Sequence, residues 1–291
     1  MSVATLSALS EALAELSAAA RPCTACLHVH DRRSASAFHW KDGLYVAPEE
    51  LVDTEEQPRL TLADGSTGPA SLVGRDPSTG IALLKVETAA STNVLPASGL
   101  ELRAGHLVLL SGRDGDGELA ALGSVAKAGP AWHSMRGGTI DRAIDLSVPA
   151  DGRFEGSAVL DASGALVGTL LFGPRRRALV IPHETIARSV AALSAKGHVA
   201  RGYLGAGLHP LNGGEVDGAI VMRLDEDGPA KAAGLLVGDI LVRWNDEAVS
   251  GPRSVMRRLG AESAGQTARL GVLRGGAIHD IAVQLGEKPI A

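Results

Sequence analysis

The sequence predicts a mainly β protein: an all-β barrel or sandwich followed by a smaller α+β unit. Three observations carry this. Short apolar runs alternate with Gly/Asp turns through residues 23–182, one amphipathic helix closes that region, and residues 201–291 change to a mixed rhythm of strands and short helices. A chain of 291 residues is also too long for one small core.

Residues 1–22 form an expected N-terminal helix. Leu6, Leu9, Leu13 and Leu16 repeat on one face, Pro22 ends the pattern, and docking on the body explains the stripe better than a short coiled coil, which is marginal alone. Strands are expected at Cys23–His30, Phe38–Val46, Ala70–Val73, Ile81–Val86, Leu107–Leu110, Ala143–Val148 and Ala165–Phe172. Lys41-Asp42-Gly43, Ala63-Asp64-Gly65, Asp114-Gly115-Asp116-Gly117 and Arg136-Gly137-Gly138 supply turns. After Pro182, Ile186, Val190 and Leu193 define a helix face, Lys196 suits the last turn and Gly197 the C′ position. The boundary falls near 198–201, giving units at 23–200 and 201–291. The second has strands at Ala219–Val221, Ile240–Trp244, Arg269–Leu273 and Ile278–Leu285, with helices at 230–233 and 252–260.

Composition excludes some function classes. A net charge of −5 with one short basic run, Arg175-Arg176-Arg177, gives no nucleic-acid footprint. No apolar run stands out as a membrane span, and the N-terminus lacks a basic n-region. Cys23 and Cys26 fall on opposite faces of an alternating strand, so they do not form a local disulfide. Two unpaired thiols without a signal sequence lead to an expectation of a cytoplasmic protein. Cys26, His28 and His30 share one strand face, a weak metal candidate with no evident fourth ligand; no cofactor is implied.

Gly228-Pro229-Ala230-Lys231-Ala232-Ala233-Gly234-Leu235 with Gly238-Asp239-Ile240-Leu241, preceded by Arg201-Gly202-Tyr203-Leu204-Gly205-Ala206, resembles a bacterial PDZ domain of the HtrA (Deg) proteases. Gly74-Arg75-Asp76-Pro77, Ile81–Val86, Ala158–Gly168 and Val180-Ile181-Pro182 are similar to the protease domain of that family. The resemblance covers nearly the whole chain and implies a chymotrypsin-like double β-barrel followed by a PDZ domain.

A protease of that type needs a His base, an Asp that orients it and a Ser nucleophile. The resemblance places these roles at Glu50, Gly80 and Glu155, at intervals of 30 and 75 residues similar to those of the family. The glycine of the oxyanion turn corresponds to Arg153, whose backbone is less permissive. The expectation is therefore a catalytically inactive homologue, not an enzyme, that acts as an adaptor, chaperone-like or regulatory subunit. The alternative is an active HtrA-type serine endopeptidase using a non-standard constellation around Ser157. Glu50 and Glu155, if adjacent, could share a proton or bind a cation.

The PDZ resemblance implies capture of protein or peptide C-termini. The amides of Leu204, Gly205 and Ala206, after Tyr203, would cradle a terminal carboxylate. Val255, Met256 and Leu259 would supply the helix side of the groove, with Val255 and Leu259 equally readable as core. The family also implies a homo-oligomer, or a hetero-oligomer with an active paralogue.

Overall fold

Turn chemistry at Asp42-Gly43 sets the first hairpin: both residues adopt positive φ, 51° and 72°, in the tight form that suits Asp-Gly. The computed structural model describes residues 3–29, 33–53, 56–87, 93–148, 151–211, 217–260 and 263–287. Helix α1 (Val3–Ala20) leads into seven strands, β1 (Thr24–His28), β2 (Ser34–Lys41), β3 (Leu44–Pro48), β4 (Arg59–Thr61), β5 (Thr67–Pro69), β6 (Ser71–Asp76) and β7 (Ile81–Lys85). They make one sheet in the order β5-β4-β1-β2-β3-β7-β6, and each pair is antiparallel. Its core gathers Ala25, Leu27, Tyr45, Leu60, Leu84 and neighbours.

The next strands are β8 (Leu107–Asp114), β9 (Gly117–Gly129), the short pair β10 (Trp132–His133) and β11 (Thr139–Ile140), then β12 (Ala143–Ser147), β13 (Ala158–Leu160), β14 (Leu166–Gly173) and β15 (Arg177–Pro182). β12-β15-β14-β13-β8-β9 close into a barrel around Val108, Leu110, Ile144, Val159, Leu170 and Val180. Helix α2 (His183–Lys196) follows, and Gly197 ends it at φ 73° with its amide on the Leu193 carbonyl, the expected αL cap.

The remaining elements are β16 (Gly202–Tyr203), β17 (Ala206–Leu211), β18 (Gly218–Leu224), α3 (Pro229–Ala232), β19 (Ile240–Trp244), β20 (Glu247–Ala248), α4 (Pro252–Arg258), β21 (Thr267–Arg274), β22 (Ala277–Gln284) and β23 (Gly286–Glu287). The main sheet runs β17-β18-β19-β21-β22, so β17 is an edge strand. By compactness the chain divides into residues 1–132 with 140–198, and 133–139 with 199–291.

Three expectations are corrected. The leucine stripe of α1 is used except at its first member: Leu9, Leu13 and Leu16 are half-buried, whereas Leu6 is 52% exposed. A polar contact helps fix that end, Ser17 Oγ donating to Glu118 Oε1 at 2.7 Å. The segment Val3–Cys23 is also long and apolar enough to cross a membrane by length and composition, with mean hydropathy 1.2, contrary to the reading that no such run exists. Its alanines and serines dilute three charges without interrupting the helix. Finally, β1 buries both faces rather than one. Cys26 is 0% exposed because β8 packs over the face expected to meet water.

Polar groups buried at the turn between β6 and β7 are fully used. Asp76, 2% exposed, accepts the Ser78 amide at 3.0 Å, Thr79 Oγ1 at 2.7 Å and Ser189 Oγ at 2.7 Å, tying α2 to the sheet. Truncation would leave several buried donors unpaired. Asp76→Ala is expected to lower stability by about 2–4 kcal/mol, read from the midpoint of urea denaturation.

Candidate functional site

Two loci merit attention, one in each unit. In the first, a 3₁₀ turn at Gly152–Phe154 ends on Glu155 and leads through Gly156 and Ser157 into β13. Asp151 caps the turn, accepting the Arg153 amide at 3.0 Å and the Arg153 guanidinium at 2.7 Å. These bonds hold the Asp151 carboxyl below its ordinary range and push the Arg153 guanidinium up. Gly156 has φ +83°, and a Cβ there would stand 2.0 Å from the Ser36 carbonyl oxygen and 2.7 Å from Pro48 Cδ. That close approach draws the turn against β2 and the end of β3, from which the Glu49–Leu51 turn carries Glu50.

The structure brings together the three positions at which the resemblance places the catalytic roles. The Glu49 amide donates to the Gly80 carbonyl at 2.9 Å, and Glu155 lies close enough to Glu50 to feel its charge. A Cβ at Gly80, φ +77°, would meet Leu171 Cδ1 at 2.7 Å, so a side chain there is both strained and crowded. Residues that the sequence did not single out hold this corner. Glu49, 3% exposed, pairs with Arg75, and Arg75 Nη2 also donates to the Glu49 carbonyl at 3.2 Å.

Glu155 is half-buried and accepts the Phe172 amide at 3.4 Å through Oε1. Burial raises its pKa above the ordinary carboxyl value, and the Glu50 charge adds to the rise, against smaller opposing effects of the Phe172 amide and Arg176. The amides that would bind a substrate carbonyl in a protease turn are occupied: the Glu155 amide donates to Gly152 O at 3.1 Å and the Arg153 amide to Asp151. Ser157 is 0% exposed, and its hydroxyl donates to Ser36 Oγ at 3.2 Å. His39 is buried elsewhere, accepting the Gly43 amide at Nε2 and placing Nδ1 2.7 Å from the Asn93 carbonyl.

Of the weak metal candidate, Cys26 is buried with its thiol pushed up to about 11 by desolvation, His28 Nε2 is 2.7 Å from Thr61 Oγ1, and His30 lies outside the described residues. Among the described residues, no group of three or more His, Cys, Asp or Glu side chains is placed to hold a metal.

The second locus is the channel beside β17. Leu204 and Val255 are buried in the core of this unit, while Ala206, Leu208 and Leu259 are half-buried against it, and Met256 is 40% exposed. Gly205, φ +71°, passes so close to Gly228 that a Cβ would sit 2.8 Å from its Cα. The Leu204 and Gly205 carbonyls are engaged by the Ala230 amide at 2.8 Å and the Asp225 amide at 2.9 Å, which fixes the 203–206 loop. The Tyr203 hydroxyl donates to Asp225, so this residue acts as a strut of the loop. Pro210 stands in the edge strand β17.

Comparison with known proteins adds the decisive finding. Residues 35–168 match the trypsin-like peptidase domain family and residues 202–285 the PDZ domain family. The chain is a DegP/HtrA homologue. A DegP-like periplasmic serine endoprotease of Brucella suis is 30% identical over 266 residues, 86% of this chain and 51% of that protein. A Rhizobium meliloti relative of the same name is 28% identical over 268 residues, 87% of this chain and 53% of its own. The chain thus spans about half the length of these relatives. Among solved structures, the HtrA-type protease AlgW with a decapeptide has TM-score 0.75 at 23% identity, covering 96% of this chain and 99% of its own. A serine endoprotease from Yersinia pestis has TM-score 0.75 at 22% identity, covering 95% and 98%. Both share the fold of this HtrA homologue.

Two expectations are overturned here. The relatives are named serine endoproteases, against the reading of an inactive protein that is not an enzyme. That reading inferred lost activity from Glu50, Gly80 and Glu155 together with Arg153 in the oxyanion turn, and the idea of an inactive partner for an active paralogue goes with it. The relatives are also named periplasmic, against the cytoplasmic expectation. Its premise fails physically as well: Cys23 and Cys26 are free but 2% and 0% exposed, so their unpaired state says nothing about the redox compartment.

A raised carboxyl pKa costs stability once pH exceeds the unfolded value, fully so above the folded value, and the cost disappears as pH falls. Glu155→Gln keeps an acceptor for the Phe172 amide and removes the charge. Relative to wild type, the variant is expected to gain stability at neutral pH and lose that advantage below the ordinary carboxyl value of 4.5, read by urea denaturation across pH.

Proposed function

We propose that this HtrA homologue is an endopeptidase that engages protein C-termini in the groove between β17 and α4. Capture is supported by one geometric observation: an edge strand ends at a loop fixed by its carbonyls, beside a helix that presents Met256 and Leu259. An extended peptide adds to such an edge through main-chain hydrogen bonds, while its terminal carboxylate meets the loop amides of Leu204, Gly205 and Ala206. That the HtrA-type protease AlgW was solved with a decapeptide favours the same reading.

Hydrolysis is supported by the names of the relatives, and the residues at the first locus define how it would have to run. Ser157, buried and bonded to Ser36, needs exposure and a base before it can attack a carbonyl. Glu155, inclined to hold its proton, beside the exposed Glu50, offers instead the acid and base that activation of water requires. Either route needs the 152–155 turn to open, because its amides are already bonded within the turn. The proposal includes residence outside the cytoplasm, as the relatives' names favour, and an assembly of like chains that buries the exposed Val3, Leu6, Leu107 and Leu122.

Cleavage of unfolded casein by the purified chain tests the hydrolytic half. Activity lost in Ser157→Ala assigns the nucleophile to the serine; activity lost in Glu155→Gln and kept in Ser157→Ala points to water activated by the carboxyl pair. No cleavage by wild type, with or without a C-terminal peptide, sinks hydrolysis and leaves capture standing. For capture, Gly205→Ala is expected to weaken binding of a fluorescent C-terminal peptide by about tenfold or more, since the loop cannot close against Gly228. Wild-type-like affinity in that variant counts against the groove.

A further inference from the structure

The walls of the same groove carry charge that C-terminal capture alone does not use. Helix α4 holds Arg253, Arg257 and Arg258 and no acid. Arg258 is bound to Glu247 and to the Ser254 carbonyl, both at 2.6 Å. Arg253 and Arg257, one turn apart and both exposed, have no ion-pair partner among the described residues. Across the strand, Arg223 of β18 pairs in register with Gly207 of β17, and its side chain lies over the place a Gly207 Cβ would occupy. Arg223 is 77% exposed and shares Asp225 at 3.2 Å. Two other cations of this unit are matched, Lys231 with Glu226 and Arg274 with Asp239.

Direction follows from the packing. The end of α4 lies by the loop, since a Cβ at Gly202 would be 3.3 Å from Leu259 Cδ2. Its start lies by the far end of β17: Gly251 approaches Gly218, which pairs with Leu211. Helix and strand therefore run in opposite senses, and a peptide whose carboxylate sits at 204–206 passes Leu259, then Arg257, then Arg253. Six helical residues rise about 9 Å, roughly three residues of extended peptide.

We propose, resting on the capture reading, that the groove selects C-termini with an apolar last residue preceded by two consecutive Asp or Glu about three to four positions upstream, one turned toward Arg253 or Arg257 on the helix side and its neighbour, on the other face of the added strand, toward Arg223. Partly exposed pairs of this kind are individually weak, so the preference is graded and salt-sensitive. Their arrangement on both walls makes it a preference for sequence rather than for net charge.

The test uses the full chain and fluorescent decapeptides sharing one apolar C-terminal tripeptide, with Asp-Glu, Ser-Ser or Lys-Lys upstream, each as free acid and as C-terminal amide. The acidic free-acid peptide is expected to bind about three- to tenfold more tightly than the serine peptide, with the gap closing at high salt. The double variant Arg253→Glu, Arg257→Glu is expected to reverse the order while still binding the serine peptide. Equal affinity for all three free acids overturns the inference and leaves C-terminal capture intact. Equal affinity for acidic acid and amide overturns it too, by showing a basic surface that attracts any anion. No binding of any peptide defeats the capture reading itself.

Discussion

Ser36 is the point on which the first unit depends. Its amide donates to the Glu155 carbonyl at 2.8 Å, its hydroxyl accepts the Arg113 amide at 3.0 Å, and Ser157 Oγ donates to it at 3.2 Å. One fully buried residue of β2 thereby satisfies groups from β8 and from the turn before β13. A buried polar group left unpaired is costly, so these bonds fix how the open sheet meets the closed barrel. Gly112 permits the arrangement, because a Cβ there would lie 2.3 Å from Ser36 Oγ and 2.4 Å from Ser157 Oγ. Everything at the first locus, from the satisfied amides of the 152–155 turn to the half-buried carboxyl of Glu155, inherits its position from this junction.

Much of the fold was legible because local chemistry and tertiary structure agree. Asp42-Gly43 and Gly197 adopt the positive φ their contexts suggest, and Ile186, Val190 and Leu193 line the buried face of α2. What could not be read depends on long-range contact. Alternation in β1 assigned Cys26 to an outer face, but a second layer covers it, and alternation reports faces without saying what lies beyond them. The leucine repeat of α1 likewise continues past the surface available to it.

At the sites the division is similar. The family resemblance pointed to Glu50, Gly80 and Glu155, which the structure holds at one corner, and implied a peptide loop at 203–206. The Glu49–Arg75 pair, the bond from Phe172 to Glu155 and the shared Tyr203–Asp225 contact join residues far apart in sequence and left no local signal. The step from altered side chains to absent activity was of another kind. It treated chemistry as the sum of a few positions, whereas the likeness to endoproteases extends over most of the chain.

Pro210 in β17 has a consequence of its own. An exposed sheet edge is a template for any extended chain, including a second copy of the same strand. Proline offers no donor, and in sheets it sits where that donor would face outward. The strand is thus receptive near the loop and barren toward its far end. A short tail that enters carboxylate-first can pair, and a long strand sliding alongside runs out of partners. On the capture reading, the groove measures its guest by length before it reads any side chain, and the edge proposed to take peptides is guarded against fibrous self-association by the same residue.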